Sequence, residues 1–114
     1  MSDHIKIREV PGTWVVRAGG AVLGESARAL ELTEDDHPAV IYFPRDDIAL
    51  DFLDPSDKKT TSPHKGEASY FSIVTKSTTL QDAVWSYENP KDAVSAIAGH
   101  LAFFTGDLVT VEEV

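Results

Sequence analysis

The sequence predicts a mainly β fold with one short helix in its C-terminal half. Isoleucines alternate with charged residues around positions 5–7, a period of two that places both isoleucines on one face of a strand. The run 40–43 is β-branched and aromatic, a composition typical of strands. Asn89 and Pro90 predict the start of the helix, because asparagine is a good N-cap and proline fits the first helical position. Apolar residues at helical spacing follow them.

The N-terminal part of the chain predicts a β-meander. The first strand ends at the turn 11–12, and a second β-prone run follows at 14–16. Gly19 and Gly20 favour a hairpin turn into a third run at 21–23, because glycine adopts positive φ without strain.

The middle of the chain predicts two further strands and a long connection. Residues 27–32 are interpreted as a strand and 34–38 as a polar turn. The strand at 40–43 is stopped by Pro44, which cannot donate a hydrogen bond to a sheet. Residues 45–62 mix aspartates with apolar residues and indicate a half-buried connection.

Four strands complete the predicted fold. The remaining elements are a turn at 63–66, strands at 68–75 and 84–87, the helix ending at Gly99, and strands at 101–104 and 108–111 around a turn at 105–107.

Length and composition predict a single domain over residues 1–114. A chain of 114 residues holds one hydrophobic core, and 42% apolar with 25% charged residues is ordinary for a folded protein. The net charge of −9 repels phosphate backbones and anionic lipid surfaces, so nucleic acid is not expected as a partner.

Cysteine is absent from the sequence, which excludes disulfides, thiol catalysis and thiolate metal sites and favours a cytoplasmic protein. Residues 1–8 lack the apolar run of a signal peptide, and no stretch approaches the roughly 20 apolar residues that span a bilayer. We therefore expect no membrane association, and no cofactor is predicted.

Five motifs spread over nearly the whole chain form one pattern. They are Thr60-Thr61-Ser62-Pro63-His64-Lys65-Gly66-Glu67-Ala68-Ser69-Tyr70, His37-Pro38, Tyr42-Phe43-Pro44-Arg45-Asp46-Asp47, Trp85-Ser86-Tyr87, and Ile97-Ala98-Gly99 to Phe103. Together they resemble the bacterial and fungal family catalogued as domain of unknown function 427. The resemblance implies a β-tent-like fold, in which two small antiparallel sheets lean together and shelter a cleft.

The chain departs from its apparent relatives in ways that limit its chemistry. The family often has cysteine before the proline of this turn, where the chain has Ser62, so thiol chemistry does not carry over. Other β-tent proteins bind structural zinc through paired cysteines, which this chain lacks. The family is sometimes labelled nucleotidyltransferase-like, but such a site needs clustered carboxylates to bind Mg²⁺. The adjacent Asp46 and Asp47 would point to opposite faces of a strand.

Ser62, His64 and Lys65 form the densest group of reactive side chains. A hydroxyl beside an imidazole is typical of an activated nucleophile, and an extended backbone would place Ser62 and His64 on one face. The alternative interpretation is a polar turn with a solvated lysine. Lys65 is also a candidate for binding an anionic group, and Asp46 is a candidate catalytic partner for it.

Aromatic side chains with a polar atom form a second candidate group, suited to lining a pocket for a flat ligand. They are Tyr42, Tyr70, Trp85 and Tyr87. The alternative is that these rings simply pack in the core. The four histidines, at 4, 37, 64 and 100, are scattered in the sequence, so no metal site is predicted.

Three functions remain open at this point. The first is binding of a small anionic or aromatic ligand in a cleft lined by the four aromatic residues and given polarity by Asp46, His64 and Lys65. The second is an enzyme, a transferase or hydrolase, in which His64 is the general base, Ser62 or a substrate hydroxyl the nucleophile, and Lys65 stabilises developing charge. The third is a protein-interaction module that uses the acidic surface and a sheet edge. A homodimer is compatible with all three.

Overall fold

A computed structural model of the chain describes residues 4–114, and it confirms the mainly β prediction. The described strands are β1 (Ile5–Glu9), β2 (Trp14–Ala18), β3 (Ala21–Ser26), β4 (Leu30–Glu34), β5 (Val40–Tyr42), β6 (Leu53–Ser62), β7 (Gly66–Val74), β8 (Thr79–Ser86), β9 (Ala102–Phe103) and β10 (Val109–Glu113). They form three antiparallel sheets in the orders β1-β4-β5, β10-β2-β3 and β6-β7-β8-β9, where the resemblance implied two. Residues 1–3, which belong to the segment inspected for a signal peptide, lie outside the described residues.

The hairpin between β2 and β3 forms at the predicted glycine pair. Gly19 and Gly20 have φ values of 55° and 88°, and residues of this kind make the turn whose twist matches that of two antiparallel strands. Across the turn Ala18 pairs with Ala21, and β10 joins the free side of β2.

The predicted meander was wrong, because β1 does not pair with β2. It pairs with β4 instead, from Ile5 opposite Glu34 to Glu9 opposite Leu30. Ile5 and Ile7 pack against a different hydrophobic cluster from the one that contains Val16 of β2. Local alternation predicted each strand, whereas the choice of partner depended on which core its apolar face covers.

Residues 45–62, expected to be a connection, contain the longest strand of the described chain. Two short 3₁₀ turns, Arg45–Asp47 and Leu50–Phe52, precede β6. The strand was missed because its side chains are mostly polar and exposed, so alternation is absent. Pro55 and two lysines lie on this edge strand, and its register shifts between Pro55 and Lys59, features that discourage pairing with another chain.

The predicted helix at 90–99 is a 3₁₀ segment, Asp92–Ile97, with Lys91 at the cap position, so the expected Asn89 cap was wrong. Val94 has non-helical dihedral angles of −124° and 27° within it. Val94 and Ile97 are nevertheless fully buried, as the apolar spacing predicted. Backbone hydrogen bonds hold the segment at both ends, since Lys91 N–H donates to the Lys65 carbonyl and Gly99 N–H donates to the Tyr87 carbonyl.

Two hydrophobic clusters form the core of residues 4–114. One lies under the β2–β3 hairpin and includes Leu23 and Phe43, and the other includes Tyr42 and Ile97. Phe43 and Leu101 exchange backbone hydrogen bonds of 2.8 and 2.9 Å, which tie the end of β5 to the start of β9. No helix within residues 4–114 has the length and apolar character needed to cross a bilayer.

Candidate functional site

A cleft of about 660 Å³ opens where β4, β5, β7 and β8 approach one another. Its walls include all five residues that the sequence proposed for ligand binding: Tyr42, Lys65, Tyr70, Trp85 and Tyr87. Further wall residues are Trp14, Leu32, Glu34, His37, Ile41, Phe103 and Phe104. Folding therefore brings the Pro-x-Lys-Gly turn and the Trp-Ser-Tyr segment to one concave surface.

The aromatic wall is built from a strand pair and the end of a neighbouring strand. Tyr70 of β7 lies opposite Trp85 of β8 in the register, and Tyr42 ends β5. Trp85 Nε1 donates to Tyr42 Oη at 3.2 Å, with the two rings nearly perpendicular at 87°. Tyr70 Oη lies 2.8 Å from the hydroxyl of Thr60. The polar atoms of three rings are thus satisfied within the protein.

Burial changes the acidity of two of these phenols. Tyr42 is 1% exposed, and burial, which disfavours the phenolate, raises its pKa well above the ordinary value of 10. Burial likewise raises the pKa of Tyr87 to about 12. Both residues are therefore neutral hydrogen-bonding groups at physiological pH and do not serve as bases.

We expect Tyr42→Phe to lower the free energy of unfolding by about 1 kcal/mol, because Trp85 Nε1 loses its acceptor in a poorly hydrated position. Urea unfolding monitored by tryptophan fluorescence measures this change. Tyr87→Phe is the control: within residues 4–114 the Tyr87 hydroxyl has no hydrogen-bond partner, so a smaller loss is expected. Equal losses in both variants would contradict the role given to the Trp85–Tyr42 bond.

Phe104 contributes a ring that sequence reasoning missed. It follows β9 directly, is 51% exposed, and lies 4.5 Å from the ring of Trp85 and 6.5 Å from that of Tyr70. The planes of Phe104 and Tyr70 are within 11° of parallel. The only available signal was a phenylalanine at the end of a predicted strand, which does not distinguish a core ring from a rim ring.

A lysine–glutamate pair forms the polar end of the cleft. Lys65 Nζ lies 2.7 Å from Glu34 Oε1, and the side chains are only 14% and 18% exposed. The hydrogen bond from Lys65 holds the pKa of Glu34 below its ordinary value of 4.5, against the opposing effect of burial. Glu34 was missed because its neighbours in sequence indicate a solvated turn.

Asp46 does not form the predicted pair with Lys65. It is exposed and lies outside the cleft wall, and Lys65 pairs with Glu34 instead. The next residue, Asp47, accepts from Ser26 Oγ at 2.6 Å and from Arg28 Nη2 at 3.0 Å, which lowers its pKa.

Arg45, which precedes these aspartates, has a structural environment. Its guanidinium donates to the Gly99 carbonyl at 3.0 Å, to Ser86 Oγ at 3.3 Å and to Glu88 Oε2 at 2.6 Å. Side-chain hydrogen bonds of the Arg-Asp-Asp segment therefore connect β3, β8 and the residues that follow the Asp92–Ile97 segment.

Ser62 ends β6 and His64 lies in the turn that follows, so the two do not share the extended arrangement considered from the sequence. Ser62 Oγ accepts from the backbone N–H groups of His64 and Lys65 at 3.3 and 3.2 Å, which is the hydrogen bonding of a turn residue. The imidazole of His64 packs against that of His4, with ring centroids 4.5 Å apart. Neither Ser62 nor His64 belongs to the cleft wall.

One group of described residues has side chains that suit a metal ion. His4, Glu34 and His64 each place one potential ligand atom within 4.8 Å of the others. Because β1 pairs with β4, His4 comes beside Glu34 although the two are distant in sequence.

Residues 6–114 match the family described as Domain of unknown function (DUF427). The chain belongs to this family. The match covers nearly the whole sequence and confirms the resemblance drawn from the motifs. No curated protein shows significant similarity to the chain. For this DUF427 protein, function must therefore be inferred from the site itself.

Proposed function

We propose that this DUF427 protein binds a small, flat, partly aromatic molecule in the cleft between Tyr42, Tyr70, Trp85 and the Lys65–Glu34 pair. The observation that carries the proposal is that side chains from separate segments of the chain line one hollow, and that their polar atoms are already paired within the protein. A ligand in the cleft would therefore contact aromatic ring surface on one side and the Lys65–Glu34 ion pair on the other.

The size and lining of the cleft support this reading. A volume of about 660 Å³ lies within the range of roughly 300–1,000 Å³ that small-molecule sites occupy. Such sites are mostly apolar with a few polar groups that fix the ligand's orientation. Phe104, half exposed beside Trp85, offers a face on which a planar group would stack.

The polar end favours a ligand with hydrogen-bonding groups over one held by charge alone. Lys65 is already neutralised by Glu34 at 2.7 Å, so a carboxylate or phosphate would compete with a partner that the fold provides. A neutral polar edge would instead accept from the ammonium, which has three donors, without displacing Glu34. The lysine thus contributes orientation more than net attraction.

The enzyme hypothesis has weaker support. Asp46 lies in solvent, and the Ser62 hydroxyl accepts two backbone hydrogen bonds within its own turn. A nucleophile activated by His64 would need its hydroxyl directed at the imidazole. Binding is therefore the better-supported function.

A fragment screen tests the proposal. We expect aromatic fragments detected by ligand-observed NMR to bind about tenfold more weakly to Phe104→Ala, because a stacking face is lost. Leu108→Ala is a matched control, since Leu108 is also 51% exposed and lies outside this cleft.

Unchanged affinities in Phe104→Ala, or equal losses in both variants, would contradict binding in this cleft. Chemical-shift changes at the indole N–H of Trp85 provide a second measurement. Fragments that leave this signal unmoved would have bound elsewhere.

A further inference from the structure

We propose that His4, Glu34 and His64 form a binding site for a divalent transition-metal ion of the Zn²⁺ class. Two imidazoles and one carboxylate come together from three separate parts of the chain: the residue before β1, the end of β4 and the β6–β7 turn. The three potential ligand atoms all lie within 4.8 Å of one another.

The backbone fixes two of the three ligands. Ile5 pairs with Glu34 in the β1–β4 ladder, and the N–H of Asp35 donates to the His4 carbonyl at 2.9 Å just beyond it. His4 Nε2 and Glu34 Oε2 are consequently 3.8 Å apart. Ligand atoms bound tetrahedrally to Zn²⁺ at 2.0–2.2 Å lie about 3.4 Å from each other, so only a small closure is needed.

The third ligand has the freedom to complete the site. His64 is exposed at the tip of its turn, and its ring meets the His4 ring edge-on at an interplanar angle of 77°. Rotation about the side-chain bonds of His64 is not opposed by core packing. The ring can therefore direct a nitrogen towards the other two ligands.

The donor set selects the class of metal. Imidazole nitrogen with one carboxylate oxygen suits Zn²⁺ and its first-row neighbours, whereas Ca²⁺ and Mg²⁺ prefer all-oxygen sites. Three protein ligands leave a fourth position for water or an exogenous donor, as in metal sites that bind small molecules.

Lys65 orients the carboxylate that the metal would use. Its ammonium binds Glu34 Oε1, which leaves Oε2 directed towards His4. The positive charge of Lys65 disfavours a second cation nearby. The negative charges of Asp35 and Asp36, which directly follow Glu34, favour one, as does the net charge of −9.

The site adjoins the cleft, because Glu34 and Lys65 also belong to the cleft wall. A metal ion bound by Glu34 would therefore lie beside the polar end of the cleft. The inference goes beyond the proposed function, since the metal site stands whether or not a ligand occupies the aromatic wall.

Zn²⁺ titration of the full chain by isothermal calorimetry tests the site. We expect one equivalent of Zn²⁺ to bind, and we expect His64→Ala to weaken its binding by at least about tenfold. Loss of a residue that only hydrogen-bonds to a metal ligand already costs roughly this much, and His64 is a proposed ligand itself. His64 is exposed, so this variant is expected to fold. His100→Ala is the matched control, because His100 lies in another part of the fold and its Nδ1 contacts the Ala98 carbonyl.

Two further measurements make the result decisive. Glu34→Gln should weaken Zn²⁺ binding to a similar extent, and Co²⁺ should give the visible absorption of a low-coordinate nitrogen and oxygen site. Equal Zn²⁺ affinity in the wild type, His64→Ala and His100→Ala, or no binding near one equivalent, would overturn the proposal. Fragment binding measured in the presence of a chelator reports on the aromatic wall separately.

Discussion

Replacing Gly24 by alanine is expected to lower the free energy of unfolding by about 2 kcal/mol, because the added methyl group would collide with backbone atoms of a neighbouring segment. A Cβ built on Gly24 would lie 2.5 Å from the Asp47 carbonyl oxygen and 3.1 Å from the Ile48 Cα. Gly24 forms a β-bridge with Ile48, and Ala49 N–H donates to the Leu23 carbonyl at 2.7 Å. The backbone contact can be relieved only by separating β3 from the segment that follows β5.

Gly106→Ala is the matched control for this substitution. A Cβ at Gly106 meets no atom within 4 Å, and this glycine is not among those with positive φ. Its effect on stability is expected to stay within about 0.5 kcal/mol. Chemical denaturation of the three proteins provides the comparison. A Gly24→Ala variant as stable as Gly106→Ala would show that β3 and the 3₁₀ turn at Arg45–Asp47 are less closely joined than the structure indicates.

Replacing Lys65 by methionine is expected to cost about 1–2 kcal/mol of stability at neutral pH. The substitution keeps an apolar stem but leaves the Glu34 carboxylate without its 2.7 Å partner at a position only 18% exposed. Breaking a fully buried pair costs about 3–5 kcal/mol and an exposed pair at most about 1 kcal/mol, and this pair lies between the two.

The cost should depend on pH in a defined direction. The pKa of Glu34 is lowered in the folded protein, chiefly by its hydrogen bond from Lys65. The stabilisation from this pair is therefore fully present above pH 4.5, the ordinary pKa of the group, and is lost as pH falls through the lower folded value. Urea unfolding of wild type and Lys65→Met should differ most at neutral pH, and the difference should disappear as the pH falls below the folded pKa of Glu34.

Arg8→Met is the control for Lys65→Met, because it removes an ion pair that is exposed to solvent. Arg8 Nε also lies 2.7 Å from a glutamate, Glu31, but the arginine side chain is 63% exposed. Its removal should cost at most about 0.5 kcal/mol, because exposed pairs are screened by water. If Arg8→Met and Lys65→Met lose equal stability, the protected environment of the cleft end is not what strengthens the Lys65–Glu34 pair.

The cleft and the metal-suited cluster share a glutamate, which gives Glu34 a central position in both proposals. One carboxylate oxygen faces Lys65 in the cleft wall and the other faces His4 outside it. Glu34→Gln therefore changes both sites, whereas Phe104→Ala affects only the aromatic wall and His64→Ala only the histidine cluster. Comparing the three variants separates ligand binding from metal binding.

Features set by neighbouring residues were predictable from the sequence. The paired glycines at 19 and 20 specified a turn that any antiparallel hairpin would accept, and alternation around Ile5 indicated a strand before any partner was known. The motif around Lys65 and the segment containing Trp85 were also recognisable as parts of one family pattern, because they are short and contiguous.

Features set by distant residues were not predictable. Nothing near Lys65 in the sequence indicates that Glu34 is its partner, and nothing near His4 indicates His64. The strand β6 has no alternation, because both its faces are largely polar, and it exists through its hairpin with β7. The residues flanking Asp92–Ile97 likewise bond to distant parts of the chain, since the N–H groups of Lys91 and Gly99 donate to the carbonyls of Lys65 and Tyr87.

The sequence by itself determined that this is a mainly β protein of the DUF427 family, and it supplied the aromatic and charged residues of a cleft. Only the tertiary structure decided that β1 pairs with β4 and that Glu34, not Asp46, meets Lys65. The physical reason is that local periodicity fixes which face of a strand is apolar, whereas the pairing of strands minimises the free energy of the whole chain at once.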